Sequence, residues 1–137
     1  MWVDKQLQIE DSLDCGAYTA TTTYSTNVIN LGSTVGDIGV GTPLYMVVCV
    51  EEAFAGAGTF KFNIVDEEDN TIDSGSVVIV STTTLALSTL SLGKVFAITI
   101  PAGLVTQQYL GMSYTNSGTL TAGIFSAFLA TTPGLNP

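Results

Sequence analysis

Phe96-Ala97-Ile98-Thr99-Ile100 and Phe125-Ser126-Ala127-Phe128-Leu129 are the two stretches on which the reading of this chain turns. Both combine aromatic, β-branched and small residues, a composition that suits strands better than helices. Both also lie in a region, Val95 to Pro137, with no charged side chain. From Ser74 to the last residue, Lys94 is the only one. A β-domain standing alone in water usually carries charge on its exposed strands, which blocks edge-to-edge association. A long charge-free β-half therefore predicts strands that end up against another protein.

Working outward from that half, Leu44 to Glu52 is apolar on both faces for most of its length, as expected of a strand between two covered layers. Phe60, Phe62 and Ile64 alternate with Lys61 and Asn63, the pattern of a half-buried strand. Val77 to Val80, Val95 to Ile100, Tyr109 to Thr115 and Ala122 to Ala130 read as further strands, and Asn27 to Leu31 as a short one closed by Gly32. Turn chemistry separates them at Gly56-Ala57-Gly58, Asp66 to Thr71, Asp73-Ser74-Gly75 and Asn116-Ser117-Gly118. Leu85, Leu87, Leu90 and Leu92 do not keep a helical period and sit among Ser and Thr, so Thr82 to Leu92 reads as a strand plus a loop. The total is about seven to nine short strands and no helix: an all-β, antiparallel sandwich or jelly roll, between which the pattern does not choose. The organisation expected is an extended N-terminal arm over 1–25, one β-domain over 26–132 and a C-terminal tail over 133–137.

Composition narrows the function. The chain has 137 residues and a formal net charge of −9, with Lys5, Lys61 and Lys94 its only cations. Nucleic-acid binding needs a cationic patch that displaces counterions, and three scattered lysines do not make one. There is no His and no Arg. A His-based triad and a His/Cys zinc site are therefore impossible, and a Cys nucleophile would lack its usual base. Cys49, within Met46-Val47-Val48-Cys49-Val50, reads as a small buried hydrophobe. A Cys15–Cys49 disulfide is open but not indicated in a chain whose start lacks a basic region followed by an apolar one. No window approaches the ~20 apolar residues of a membrane span. Synthesis in a cytoplasm and no membrane partner are the expectations.

The remaining constellations have plain readings. Asp66-Glu67-Glu68-Asp69-Asn70 is oxygen-rich, as calcium loops are, but lacks their alternation and internal glycine, so a solvated hairpin tip is expected. Two carboxylates suffice for a glycosidase, yet no aromatic platform surrounds the acids here. Tyr18, Tyr24, Tyr45, Tyr109 and Tyr114, with Trp2, could line a carbohydrate groove, or pack in a core or an interface. No catalytic residue, cofactor or metal is assigned, and the chain is read as a non-enzymatic, interface-building protein.

Two longer stretches carry a resemblance. One is Ser25-Thr26-Asn27-Val28-Ile29-Asn30-Leu31-Gly32 followed by Asp37-Ile38-Gly39-Val40-Gly41-Thr42-Pro43-Leu44-Tyr45-Met46-Val47-Val48. The other is Tyr109-Leu110-Gly111-Met112-Ser113-Tyr114 followed by Gly118 to Leu129. Their order and spacing, with the opening Asp4-Lys5-Gln6-Leu7-Gln8, resemble the capsid cement, or decoration, proteins of tailed bacteriophages. The likeness covers nearly the whole chain and is weakest between Asp66 and Leu92. It implies a jelly-roll subunit on the outer surface of a virion capsid, bridging copies of a major capsid protein of HK97-like fold and associating with itself, a homodimer being favoured over a trimer. On this reading Trp2, Val3, Lys5, Leu7 and Ile9 of the arm, and Asp37, Ile38, Gly39 and Val40 of the following loop, meet the shell. Tyr109, Tyr114, Phe125 and Phe128 are the candidates for self-association. Gly36 and Gly111 depart from the pattern, standing where basic residues would be expected. The competing reading is a carbohydrate-binding jelly-roll module.

Overall fold

The computed structural model describes residues 5–32, 43–101 and 103–131. Its strands are β1 (Gln8–Asp14), β2 (Thr21–Tyr24), β3 (Ile29–Asn30), β4 (Leu44–Gly56), β5 (Thr59–Glu67), β6 (Val77–Ser81), β7 (Leu85–Ala86), β8 (Val95–Ile100), β9 (Tyr109–Asn116) and β10 (Leu120–Ala130). Single 3₁₀ turns at Lys5–Leu7 and Leu87–Thr89 are the only helical elements among the described residues. The second of these, with β7, makes Thr82 to Leu92 the strand-plus-loop that its leucines suggested.

The first sheet has the order β1-β10-β4-β8. In the second, β9 lies between β2 and β5, and β6 follows β5; β3 extends along β9, and β7 along β5. Every pairing is antiparallel and nested: β1 with β10, β2 and β3 with β9, β4 with β8, β5 with β6 and β7. That nesting is the jelly-roll order, so the choice the strand count left open goes to the jelly roll.

Side-chain alternation then builds the core. Met46, Val48 and Val50 of β4 face inward with Phe125, Ala127 and Leu129 of β10 and Ile98 and Ile100 of β8. From the second sheet, Phe60, Phe62 and Ile64 of β5 meet Leu110, Met112 and Tyr114 of β9. Phe62 is the hub, edge-on to Phe125 with ring centroids 5.2 Å apart, to Tyr114 at 5.9 Å and to Phe96 at 5.4 Å. Each such side chain, wholly withdrawn from water, contributes about 1.5–3 kcal/mol of transfer free energy. Gly123 of β10, at φ +147°, lies beneath the Phe54 ring; a Cβ there would sit 2.9 Å from the ring carbon Cγ.

Two sequence expectations change here. The segment 1–25, expected as an extended arm, is drawn into the sandwich as strands where it is described. Residues 8–14 pair with β10 and residues 21–24 with β9, and Ile9 and Cys15 are wholly buried in the core. Apolar side chains at these positions and open ladder positions on β9 and β10 draw the segment into the body. The charge-free half is also covered largely by its own chain. β10 lies between β1 and β4, and β9 between β2 and β5, so both are central strands with neighbours on each side. Among the described strands beyond Lys94, only β8 is an edge.

The acidic turn also departs from its reading. β5 continues through Asp66, which is 1% exposed, so only Glu68, Asp69 and Asn70 reach the hairpin surface. The Asp66 carboxylate turns instead to the segment before β9, where Oδ2 accepts the backbone N–H of Thr106 at 3.0 Å and of Gln107 at 3.2 Å. The chain after Asn70 folds back over the second sheet, and Ile72 is buried against Gly111.

Candidate partner interface

Three surfaces of the sandwich differ in character. The first is a groove of about 690 Å³ beside β1, lined among others by Gln8, Glu10, Asp11, Asp14, Asn27 and Asn70. β1 is an edge strand with two register irregularities, and its Asp11 and Asp14 are exposed. The described lining holds three carboxylates and no lysine, which gives this margin a negative field. Glu10 differs from its neighbours. It is 1% exposed, and its Oε1 accepts the Tyr114 hydroxyl and the Thr26 N–H, each at 2.9 Å. Burial pushes the Glu10 carboxyl above its ordinary range, and the Thr26 and Tyr114 donors oppose that rise. Burial, with Glu10 beside it, holds the Tyr114 phenol well above its usual value.

The second is a hollow of about 340 Å³ on the outer face of the second sheet, between Tyr24, Lys61, Ser76 and Thr115. Asn63 forms its floor and is internally satisfied: Nδ2 donates to the Ser113 hydroxyl at 3.2 Å, and Oδ1 accepts the Ser81 hydroxyl at 2.7 Å. The hollow can take a small polar molecule, but its floor offers few free hydrogen-bonding groups.

The third is the margin where β6 and β8 run near one another as the edges of the two sheets. Val77 and Val78 of β6 are each 54% exposed, and Leu92 and Leu104, which flank β8, are 72% and 54% exposed. Four of the five exposed large hydrophobic side chains of the described chain therefore belong to these two strands or their flanks, the fifth being Leu7. Neither β6 nor β8 contains a charge.

The residues singled out from the sequence are scattered by the fold. Trp2, Val3, Asp37, Ile38, Gly39 and Val40 lie outside the described residues. Lys5 and Leu7 form the 3₁₀ turn before β1, with Leu7 at 37% exposure, whereas Ile9 is a core residue and has no surface to offer. Phe125 and Tyr114 are wholly buried, their rings 5.0 Å apart in the core. Phe128 is 7% exposed in the alternate row of β10, and Tyr109 is half-buried at the start of β9 on the other sheet. These four side chains form no common surface, because their alternation along two central strands sends them to different layers. The sequence reading missed the β6/β8 margin. Its signal was present as two charge-free, β-branched runs, but only the strand order makes them neighbours at an edge.

The cysteines carry no site. Both are free; Cys15 is buried and its thiol is pushed up to about 12 by burial, with Glu10 and Asp14 adding to the effect. Cys49 is half-buried and likewise raised, chiefly by burial. Neither is poised as a thiolate at neutral pH.

Residues 13–129 match the Bbp16 family, and the chain belongs to it. No curated protein matches the chain.

Proposed function

We propose that this protein is a capsid cement subunit, which binds the outside of an icosahedral phage shell and bridges neighbouring copies of a major capsid protein of HK97-like fold. The observation that carries the reading is the two-sidedness of the sandwich. One margin is acidic and bulged, suited to a basic partner surface; the opposite one is uncharged and apolar, suited to another copy of the chain. The jelly-roll order and the collinear sequence likeness to cement proteins support the same reading.

The mechanism is mechanical. Packaged DNA pushes the shell outward, and each bridging subunit adds buried area across joints that would otherwise open. Apolar burial contributes about 25 cal/mol per Å², much of it cancelled by the cost of association. Many copies on one closed shell multiply a modest net gain. The subunit is made in the host cytoplasm and works on the virion surface, without cofactor, nucleic acid or membrane.

The test is to add the purified protein to shells that lack it. Co-sedimentation, weaker at high salt as an acidic contact requires, and greater resistance to heat or chelator are expected. Shells that neither bind the protein nor gain resistance would end the proposal. A carbohydrate-binding reading has the hollow beside Tyr24 in its favour. It predicts glycan-array binding that is lost in Tyr24→Ala, and uniform indifference to glycans rules it out.

A further inference from the structure

We propose that β8 is the seam of a homodimer, paired antiparallel with β8 of a second copy about a twofold axis at Ala97. This takes up the self-association in the cement reading and rests on it for its biological purpose; the geometry comes from the strand edge.

The ladder between β4 and β8 is unbroken, from Leu44 opposite Ile100 to Cys49 opposite Val95. One step further, the Val50 N–H donates to the Lys94 carbonyl at 2.8 Å and the Val50 carbonyl accepts the Gly93 N–H at 3.0 Å, so Gly93, at φ +83°, and Lys94 stand as a bulge opposite Val50, with Lys94 in the bonded phase of the ladder. Bonded and non-bonded positions alternate along an antiparallel ladder. Phe96, Ile98 and Ile100 therefore bond to β4, while Val95, Ala97 and Thr99 turn their N–H and C=O groups to the open side. Among the described residues, no backbone bond runs from these three to another segment.

Natural edges are blunted by charge, bulges or proline. β1, the other edge of the same sheet, has both acids and register shifts. Within Val95–Ile100 β8 has neither; the Gly93–Lys94 bulge lies at one end of it and Pro101 at the other. In a chain of net charge −9, an uncharged margin is where two copies can approach without like-charge repulsion.

The register follows from the open groups. Centring the axis on Ala97 sets Val95 opposite Thr99 of the second copy and Ala97 opposite itself, giving three pairs that exchange two bonds each. Lys94 then falls opposite Ile100 of the second copy, so the two lysines sit at opposite ends of the seam. The same antiparallel arrangement brings Leu92 of one copy towards the end where Leu104 of the other lies, which gives both exposed leucines an apolar neighbour.

Sedimentation equilibrium of the whole chain tests this without shells. The wild type should dimerise. Ala97→Pro removes an N–H that bonds nothing among the described residues and is tolerable at an edge, so it should give a folded monomer. Ala97→Lys sets two like charges opposite each other and should raise the dimer Kd at least tenfold, while Ala97→Ser should leave it unchanged. In a Cys49→Ser background, Ala97→Cys should form a symmetric disulfide on oxidation, since the facing Cα atoms would lie about 5.5 Å apart. A wild type monomeric at the highest attainable concentration, a dimer indifferent to Ala97→Lys, or no disulfide from Ala97→Cys would overturn the proposal. Should Ala97→Pro fail to fold, the lysine and cysteine variants still decide. Shell binding by the Ala97→Lys monomer is a separate measurement: a monomer that binds shells keeps the cement reading alive after the seam has failed, and a dimer that does not bind them keeps the seam alone.

Discussion

The Tyr114 hydroxyl donates to Glu10 Oε1 at 2.9 Å across the core, joining the central strand of one sheet to the edge strand of the other. The same oxygen accepts the Thr26 N–H, so one buried carboxylate ties together β1, β9 and the link between β2 and β3. A buried anion held by two neutral donors is favourable only while both bonds persist. Stability at this point is therefore sensitive to pH and to either partner.

Because burial raises the Glu10 carboxyl above its unfolded value, the native state holds that proton more tightly than the unfolded chain. The sign follows from linkage: stability from this group is fully present below the unfolded value and is lost as pH rises through the folded one. Glu10→Gln keeps an oxygen that can accept both bonds and removes the titration. In urea unfolding between pH 4 and 8, the variant should gain on the wild type as pH rises through that window, then hold a constant lead. A difference independent of pH would show that Glu10 does not titrate as described.

Tyr114→Phe deletes one donor to the buried carboxylate and leaves the ring packing in place. A hydrogen bond to a charged group contributes about 1.5–3 kcal/mol, and a loss of that order in urea unfolding is expected at neutral pH. The loss should shrink in a Glu10→Gln background, as it must if the two groups are coupled. Additive losses would dismiss the coupling.

Asp66 should act as a clasp on the segment before β9. Asp66→Ala strips the acceptor from two backbone N–H groups, and a cost of roughly 2–4 kcal/mol is expected, with Asp66→Asn costing less. Hydrogen exchange gives the sharper readout: the Thr106 and Gln107 amides should lose protection before the β9 ladder does. Unchanged exchange at these two amides would mean that the clasp holds nothing.

Gly111 has an ordinary backbone but no room. A Cβ there would lie 2.5 Å from Ile72 Cγ1 and 3.0 Å from the Ser25 hydroxyl. Gly111→Ala should destabilise by about 1–3 kcal/mol through overpacking. Ile72→Ala in the same chain should recover part of that loss, which a double-mutant cycle by thermal or urea unfolding would measure. No recovery would place the clash elsewhere. This packing also accounts for the absence of a basic side chain at 111, since the turn carrying Ile72 occupies its space.

The sequence alone determined that the protein is all-β, and it located most of its strands. Period-two alternation at Phe60, Phe62 and Ile64 and the two-sided apolar run from Leu44 are local consequences of a pleated backbone, and they survive any tertiary arrangement. It also determined what chemistry is missing, because a chain without His or Arg cannot borrow them from its fold. Which strands are central was beyond it. The charge-free stretches around Phe125 and Tyr114 read as surface awaiting a partner, yet pairing over more than a hundred residues, Gln8 with Phe128, encloses them. Asp66 read as part of a solvated hairpin tip, and only long-range contacts supplied its donors. Strand order is set by which distant segments bury the most apolar area together, a sum over the whole chain that no local pattern encodes. Among the described residues, that sum left β8, alone of the strands beyond Lys94, at the edge of its sheet.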